Sequence, residues 1–187
     1  MFDEELFQSV VEDLFEHSTD FEGEYQAKIE VKGLEGIPAL VYDLFDCLGV
    51  RFVFDNGVPY NCYDFVDDVI VLKPLSSFAN EEQFVSITLH ELGHWTGHKS
   101  RLNRPTVKSN VTCKEQYIEE VTAEIVAQYI CEFFNVPDTF RTNERYNYIF
   151  RQLAEAAVIG ENFLEIFFMA IDYAAEALMF IDTRWNE

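Results

Sequence analysis

Two histidines four residues apart, with a glutamate directly after the first, constrain this 187-residue chain more than any other feature. His90, Glu91 and His94 form an H-E-x-x-H pattern. On a helix, at about 100° per residue, the two imidazoles lie within about 40° of each other on one face. Both can then bind one metal ion, and Glu91 lies just off that face, where it can hold a water molecule. The pattern therefore predicts a zinc site (Zn²⁺) with Glu91 as the general base.

The surrounding residues favour a helix in the right phase. Asn80 is a good N-cap and Gln83 completes a capping-box pattern, so we predict a helix over residues 81–98. Its far side would be anchored in a core by three apolar residues, Val85, Leu89 and Leu92. The alternative is a surface helix with two solvated histidines. That alternative is weaker because the pattern holds two of only four histidines in the chain.

A catalytic zinc site usually has a third protein ligand. His98 lies only one further turn along the helix and would have to fold back, so we interpret it as a loop or capping residue. A helix predicted over residues 114–134 offers Glu119, Glu120 and Glu124. In Glu-zincins the first member of an E-x-x-x-D/E pair binds zinc, so we expect Glu120 as the ligand. Glu124 or Glu119 would support a ligating imidazole or replace Glu120; the alternative is a solvated acidic face.

The remaining pattern predicts one compact domain, with an acidic helical region over residues 1–59 packed on a core of residues 60–187. Short strands are predicted at residues 51–54 and 68–72, with a further candidate around Ile29 and Val31. Residues 99–113 are predicted to form a loop. Further helices are predicted over residues 2–17, 38–48 and 138–158, and between Gly160 and about Ile181.

Charge and composition exclude several classes of protein. The net charge is −21, and residues 1–68 alone contribute −14. Such a field repels phosphate backbones, so we expect no direct nucleic-acid binding, whereas a basic protein partner would be favoured. No uncharged apolar run reaches membrane-spanning length, and the acidic start lacks the basic region of a signal peptide. Four cysteines without C-x-x-C spacing predict reduced, mostly buried thiols in a cytoplasmic protein.

Several runs resemble the zincin-like metallopeptidase domain of ArdC-type antirestriction proteins. They are D-V-I-V-L-K-P at residues 68–74, H-E-L-G-H-W-T-G-H at 90–98, S-R-L-N-R at 100–104 and E-E-V-T-A-E at 119–124. The resemblance implies an α+β zincin-like fold, with a small sheet packed on the H-E-x-x-H helix and a mostly helical C-terminal half. It also implies that Val69 to Leu72 form the sheet edge along the cleft, and that His90, His94 and a glutamate of the long helix bind zinc. Members of that family are carried by plasmids and phages.

These features predict a zinc-dependent metallohydrolase, and most simply a peptidase acting on a protein or peptide, from a phage, plasmid or other mobile element. One alternative is a non-enzymatic zincin scaffold whose acidic surface binds a basic partner, as a DNA mimic would. Another is a regulatory protease of the ImmA/IrrE kind. A donor to the oxyanion is also needed. Sequence does not rank its candidates, which are His98, Tyr117, Arg145, Tyr146 and Tyr148.

Overall fold

The computed structural model describes residues 2–17, 37–136 and 141–186. Their secondary structure is α1 (Glu4–His17), α2 (Ile37–Leu48), β1 (Phe52–Phe54), β2 (Cys62–Asp64), β3 (Val69–Leu72), a 3-10 helix (Leu75–Ser77), α3 (Glu81–Thr96), α4 (Cys113–Phe133), α5 (Arg141–Val158) and α6 (Phe163–Trp185). Six helices and a three-stranded sheet in these ranges make an α+β fold, as predicted. The candidate strand around Ile29 and Val31 and the predicted cap of α5 lie outside the described residues.

Helix α4 runs through the middle of the core, and α1, α3, α5 and α6 all pack against it. Its middle turns, residues 121–131, are buried on every side, with Val121, Ile125 and Val126 at 0 % exposure. Helix α3 comes so close that a Cβ added to Gly93 would lie 2.6 Å from the Cα of Ala123. The small residues at this contact therefore bring the H-E-x-x-H pattern against the glutamates of α4.

Helices α3 and α4 each begin directly after a capping residue, and for α3 this is the predicted Asn80. The side chain of Asn80 accepts a hydrogen bond from the backbone N–H of Gln83, while the Gln83 side chain accepts one from Ala79. Thr112 and Glu115 form a reciprocal capping box at the start of α4. Such caps satisfy backbone donors that the first turn of a helix leaves free. They set the starting points, and hence the phase, of the two helices that carry the candidate ligands.

The sheet corrects the predicted position of Val69–Leu72. Strand β3 is the central strand of the order β1-β3-β2, so it is not an edge. Phe52 of β1 pairs with Ile70 in a parallel ladder, and Tyr63 of β2 pairs with the same residue from the other side, antiparallel. Strand β3 is a continuous apolar run with three of its four residues buried, as a strand paired and covered on several sides requires. The edge nearest α3 is therefore β2, which the sequence analysis did not predict.

The cysteines and the helix lengths test two further expectations. All four cysteines are free thiols, but only Cys131 is buried, whereas Cys47 and Cys113 are exposed. The prediction of mostly buried thiols was therefore wrong. None of the helices in the described ranges combines the length and the apolarity that a membrane crossing needs.

Candidate metal centre

Three side chains from α3 and α4 converge at the contact between the two helices. The Nε2 atoms of His90 and His94 lie 3.1 Å apart. A carboxylate oxygen of Glu120 lies 3.5 Å from Nε2 of His90, and the other oxygen lies 3.9 Å from Nε2 of His94. For ligands at about 2.0–2.2 Å from a tetrahedral ion, neighbouring ligand atoms are about 3.3 Å apart. These separations therefore suit a single divalent cation between the three groups.

The other ring nitrogen of each histidine contacts a second carboxylate. Nδ1 of His90 lies 2.8 Å from an oxygen of Glu124, and Nδ1 of His94 lies 3.0 Å from an oxygen of Glu119. A carboxylate only accepts hydrogen bonds, so each Nδ1 carries the proton and donates. Nε2 is then the atom of each ring that is placed to bind a metal. The two Nε2 atoms lie 3.1 Å apart, close enough to bind the same ion, so the donor set fits a bound metal.

The shifted pKa values of the two imidazoles also favour a cation at this site. Burial by itself lowers the pKa of both rings, but the surrounding carboxylates more than compensate. Hydrogen bonds with Glu120 and Glu124 raise the pKa of His90 well above its ordinary value. The hydrogen bond with Glu119 and the charge of Glu120 raise the pKa of His94. The site thus favours positive charge, which a divalent cation supplies by displacing protons.

Glu119 supports His94 in a strongly charged setting. Burial raises the pKa of this carboxyl, but Arg104 beside it and the hydrogen bond with His94 lower the pKa to about 2. Glu119 is therefore ionised at neutral pH. Sequence analysis named Glu119 only as a supporting or alternative residue, and Arg104 falls in the loop predicted over residues 99–113. Nothing in the local pattern near either residue indicates that they meet.

The metal centre lies in a cleft of about 530 Å³, which Glu91, Glu119 and Glu120 also line. Glu91 is 6 % exposed. Within the described ranges no group donates a hydrogen bond to its carboxylate or forms an ion pair with it. It is next to the ligand face and can therefore hold a water molecule there.

The cleft lining in the described part of the chain contains neither His98 nor Tyr117. His98 is buried in the loop after α3, where its Nδ1 lies 2.8 Å from the hydroxyl of Ser100, as a loop residue should. Tyr117 packs against the hydrophobic core. We therefore give neither residue a role at a reacting carbonyl. The side chains of Arg145, Tyr146 and Tyr148 lie outside the described part.

Among the other polar side chains that line this cleft, four were missed by the sequence analysis, because no local pattern marks a single hydrogen-bond donor as part of a site. They are Tyr60, Asn61, Lys108 and Gln116. Gln116 lies one helical turn before Glu120 on α4, so it shares the face that carries the candidate ligand. Each of these four side chains has an N–H or O–H donor.

The zincin-like metallopeptidase family matches residues 42–156, which is well over half of the chain. This chain belongs to that family. The matched segment runs from α2 into α5 and so includes the sheet, both metal-bearing helices and the loop between them.

Solved structures of the antirestriction protein ArdC from the R388 plasmid have the same fold as this family member. The Mn(II)-bound form matches with a TM-score of 0.58 and 22 % identity, over 88 % of this chain and 57 % of that one. The metal-free form matches with a TM-score of 0.55 and 23 % identity, over 86 % and 54 %. The predicted likeness to ArdC-type proteins is therefore confirmed. In this chain, the described residues that could together hold a metal ion are His90, His94 and Glu120.

Two curated relatives share a shorter segment. Both are the DNA primase TraC of Escherichia coli. One is 39 % identical over 62 residues, which is 32 % of this chain and 4 % of that protein. The other is 39 % identical over 64 residues, which is 34 % of this chain and 6 % of that protein. This chain thus corresponds to only a small part of the length of TraC.

Proposed function

We propose that this chain is a zinc-dependent peptidase whose metal is held by His90, His94 and Glu120. The observation that carries the proposal is that one donor atom from each of these residues lies within 4.8 Å of the other two. Two imidazoles and one carboxylate are a usual donor set for catalytic zinc, which keeps its fourth position for water or substrate. Membership of the zincin-like metallopeptidase family supports the same reaction class.

The chemistry divides between the metal and Glu91. Bound zinc would supply a Lewis acid that lowers the pKa of a water and polarises a carbonyl oxygen. Glu91 would accept a proton from the attacking water and then donate it to the leaving amine. His90 and His94 are oriented for their task by Glu124 and Glu119, which hold the Nδ1 proton of each ring.

The substrate we propose is an extended segment of a protein or peptide, bound along β2. Among the described residues β2 pairs only with β3, so its other edge has backbone groups available for a further strand. Cys62 and Tyr63 of β2 line the cleft, so a peptide added there would pass the metal centre. The net charge of −21 favours a basic segment over an acidic one. Likeness to a plasmid-encoded antirestriction protein supports a role in a mobile element.

The test is a Glu91→Gln substitution in the full chain, loaded with zinc and incubated with a peptide library of mixed sequence. Glu91 lies off the ligand face, so the variant should keep about one zinc per chain, as a three-ligand site does. Cleavage, followed by mass spectrometry of new termini, should fall about 10²- to 10⁴-fold, as for loss of a general base. Glu81→Gln is the matched control, because Glu81 is an exposed glutamate in the first turn of the same helix.

Two results would contradict the proposal. A Glu91→Gln variant that cleaves the library as fast as wild type would remove Glu91 from the reaction. A wild-type protein that binds zinc but cleaves no peptide in the library would favour the alternative of a non-enzymatic scaffold.

The scaffold alternative makes its own prediction. Reversing the charge of acidic residues in the region 1–59 should abolish binding to a basic partner, whereas Glu91→Gln should leave that binding unchanged. The division at residues 59 and 60 is itself still a prediction.

A further inference from the structure

A buried arginine lies directly behind the candidate metal centre. Arg104 is 3 % exposed, although it belongs to the loop between α3 and α4. Its Nε and Nη2 atoms donate to the two oxygens of Glu119, at 3.0 and 2.6 Å. Nη2 also donates to the backbone oxygen of Gly93 at 2.7 Å, and Nη1 donates to the hydroxyl of Thr96 at 2.7 Å. One side chain thus connects the last turns of α3 to a carboxylate of α4.

The contacts leave Glu119 little freedom. Its Oε1 lies 3.0 Å from Nδ1 of His94 and also accepts from Arg104. Its Oε2 accepts from Arg104 and, at 2.5 Å, from the hydroxyl of Thr106. A forked guanidinium holds both oxygens in one plane, so the carboxylate cannot rotate away from the imidazole. The orientation of the His94 ring therefore depends on groups from the loop as well as on α4.

The loop is shaped to admit this guanidinium. A Cβ added to Gly97 would lie 2.7 Å from both Cζ and Nη2 of Arg104, and 2.5 Å from a methyl group of Val107. Any side chain at position 97 would thus displace the arginine. Burying a charged group is costly unless it is paired and hydrogen-bonded, and Arg104 is both.

We propose that Arg104 is a positioning residue of the metal centre, which fixes Glu119 and through it the ring of His94. The proposal rests on the proposed metal site. It extends that site from the ligands and their carboxylates to the loop after α3, with Thr106 as a second contact on the same carboxylate. Metal ligands tolerate displacements of only about 0.2 Å, so a ring freed by loss of Arg104 binds the metal less tightly.

Arg101 provides a matched control within the same loop. Its side chain is 10 % exposed, and it makes a forked pair with Asp68, at 3.0 and 2.5 Å. It also lies over the ring of Trp95, 3.8 Å from the ring centre, and donates to Tyr63. Arg101 contacts neither Glu119 nor the backbone oxygen of Gly93, which are the groups that connect Arg104 to the metal centre. Replacing either arginine removes a forked charge pair, but only Arg104 contacts the carboxylate behind a candidate ligand.

The experiment compares zinc affinity, measured by competition with a chromogenic chelator, for Arg104→Met, Arg104→Lys and Arg101→Met. We expect Arg104→Met to weaken zinc binding about 10- to 100-fold, the usual loss for a group that supports a ligand. Arg104→Lys keeps the charge without the fork and should lie between wild type and Arg104→Met. Arg101→Met should bind zinc within about threefold of wild type. In Co²⁺-loaded protein, the visible absorption bands should change for the Arg104 variants only.

A double-mutant cycle shows whether Arg104 acts through Glu119. If it does, adding Arg104→Met to Glu119→Gln should cost little further zinc affinity, since the shared pathway is already broken. Thr106→Val serves as the milder second variant if Arg104→Met does not fold, and it should weaken zinc binding by a smaller factor.

Three outcomes would overturn the proposal. They are equal losses of zinc affinity for Arg104→Met and Arg101→Met, fully additive effects in the cycle, and wild-type affinity in both Arg104→Lys and Thr106→Val. A wild-type chain that binds no zinc would instead refute the proposed function, so the two failures are distinguishable.

Discussion

Gly93→Ala should damage the metal centre without touching any ligand. Gly93 lies directly before His94 and faces Ala123 of α4. The added Cβ would lie 2.6 Å from the Cα of Ala123, whereas ordinary contact begins at 3.4 Å, so the two helices must separate locally by about 0.8 Å. Helix α4 carries Glu120, so this separation moves the carboxylate away from the two imidazoles.

The magnitudes decide which readout to use. Overpacking a tight contact costs about 1–3 kcal/mol. Alanine is about 1 kcal/mol more favourable than glycine inside a helix, which offsets part of that cost. The net loss of about 0–2 kcal/mol corresponds to a Tm decrease of at most about 8 °C for a chain of this size. A displacement of about 0.8 Å, in contrast, is about four times the tolerance of about 0.2 Å at a metal site. The loss should therefore appear mainly in zinc affinity, which we expect to fall by at least about tenfold.

Chelator competition and thermal denaturation of the metal-free protein would measure both quantities. Gly49→Ala is the matched control, because Gly49 has a positive φ of 70° but no atom within 4 Å of an added Cβ. It should cost some stability through backbone strain and leave zinc affinity unchanged. If Gly93→Ala binds zinc as tightly as wild type, the close approach of α3 and α4 does not determine the site, and the reasoning fails.

Three further predictions follow from the charged groups. Glu120→Gln should cost more zinc affinity than Glu124→Gln, for which about 10- to 100-fold is expected; the reverse order in chelator competition would make Glu124 the ligand. Arg101 and Tyr63 contact Asp68, and the hydrogen bond with Arg101 is the main cause that lowers the Asp68 pKa to about 2. Stability from this pair is therefore present above the unfolded pKa near 3.8 and is lost as pH falls toward 2, so Asp68→Asn should flatten acid denaturation in that window. No appreciable binding to single- or double-stranded DNA is expected at physiological salt, and a salt-dependent affinity in a fluorescence anisotropy titration would refute this.

The parts of the fold that were predictable from sequence are those with a local cause. The H-E-x-x-H spacing, the Asn80 cap and the apolar stripe are all set within a few residues, so α3 was predicted with its phase correct. Helix α4 was predictable for the same reason, from Thr112 onward. The phase of one helix, however, does not say what faces it across a packing contact.

The position of β3 was wrongly inferred from the family resemblance. Its four apolar residues were assigned to a sheet edge, although a continuous apolar run is typical of a strand covered on both faces. Strand β2 has only three residues, Cys62–Asp64, and too short a pattern to be recognised. Which strand becomes the edge depends on pairing between segments that are distant in sequence.

In the candidate site, too, the features set by helix spacing were predictable and the contacts between distant segments were not. The spacing of Glu120 and Glu124 predicts that one faces the metal and the other a ring. In the structure Glu120 lies 3.5 Å from Nε2 of His90 and Glu124 lies 2.8 Å from its Nδ1, while the ligand role of Glu120 stays a prediction. The role of Arg104 was not predictable, because it contacts Glu119 across 15 positions of sequence through a loop of irregular conformation. Its loop also contains Arg101 and Lys99, a composition typical of an exposed segment. The burial of Arg104 is a property of the tertiary structure.

The central claim is tested most directly by locating the metal. The chain should be purified without chelators, supplied with zinc at neutral pH, analysed for metal content and crystallised for anomalous diffraction at the zinc edge. We predict about one zinc per chain, at about 2.0–2.2 Å from Nε2 of His90, Nε2 of His94 and a carboxylate oxygen of Glu120. A protein that binds no zinc under these conditions, or a zinc ion found away from these three residues, would contradict the account.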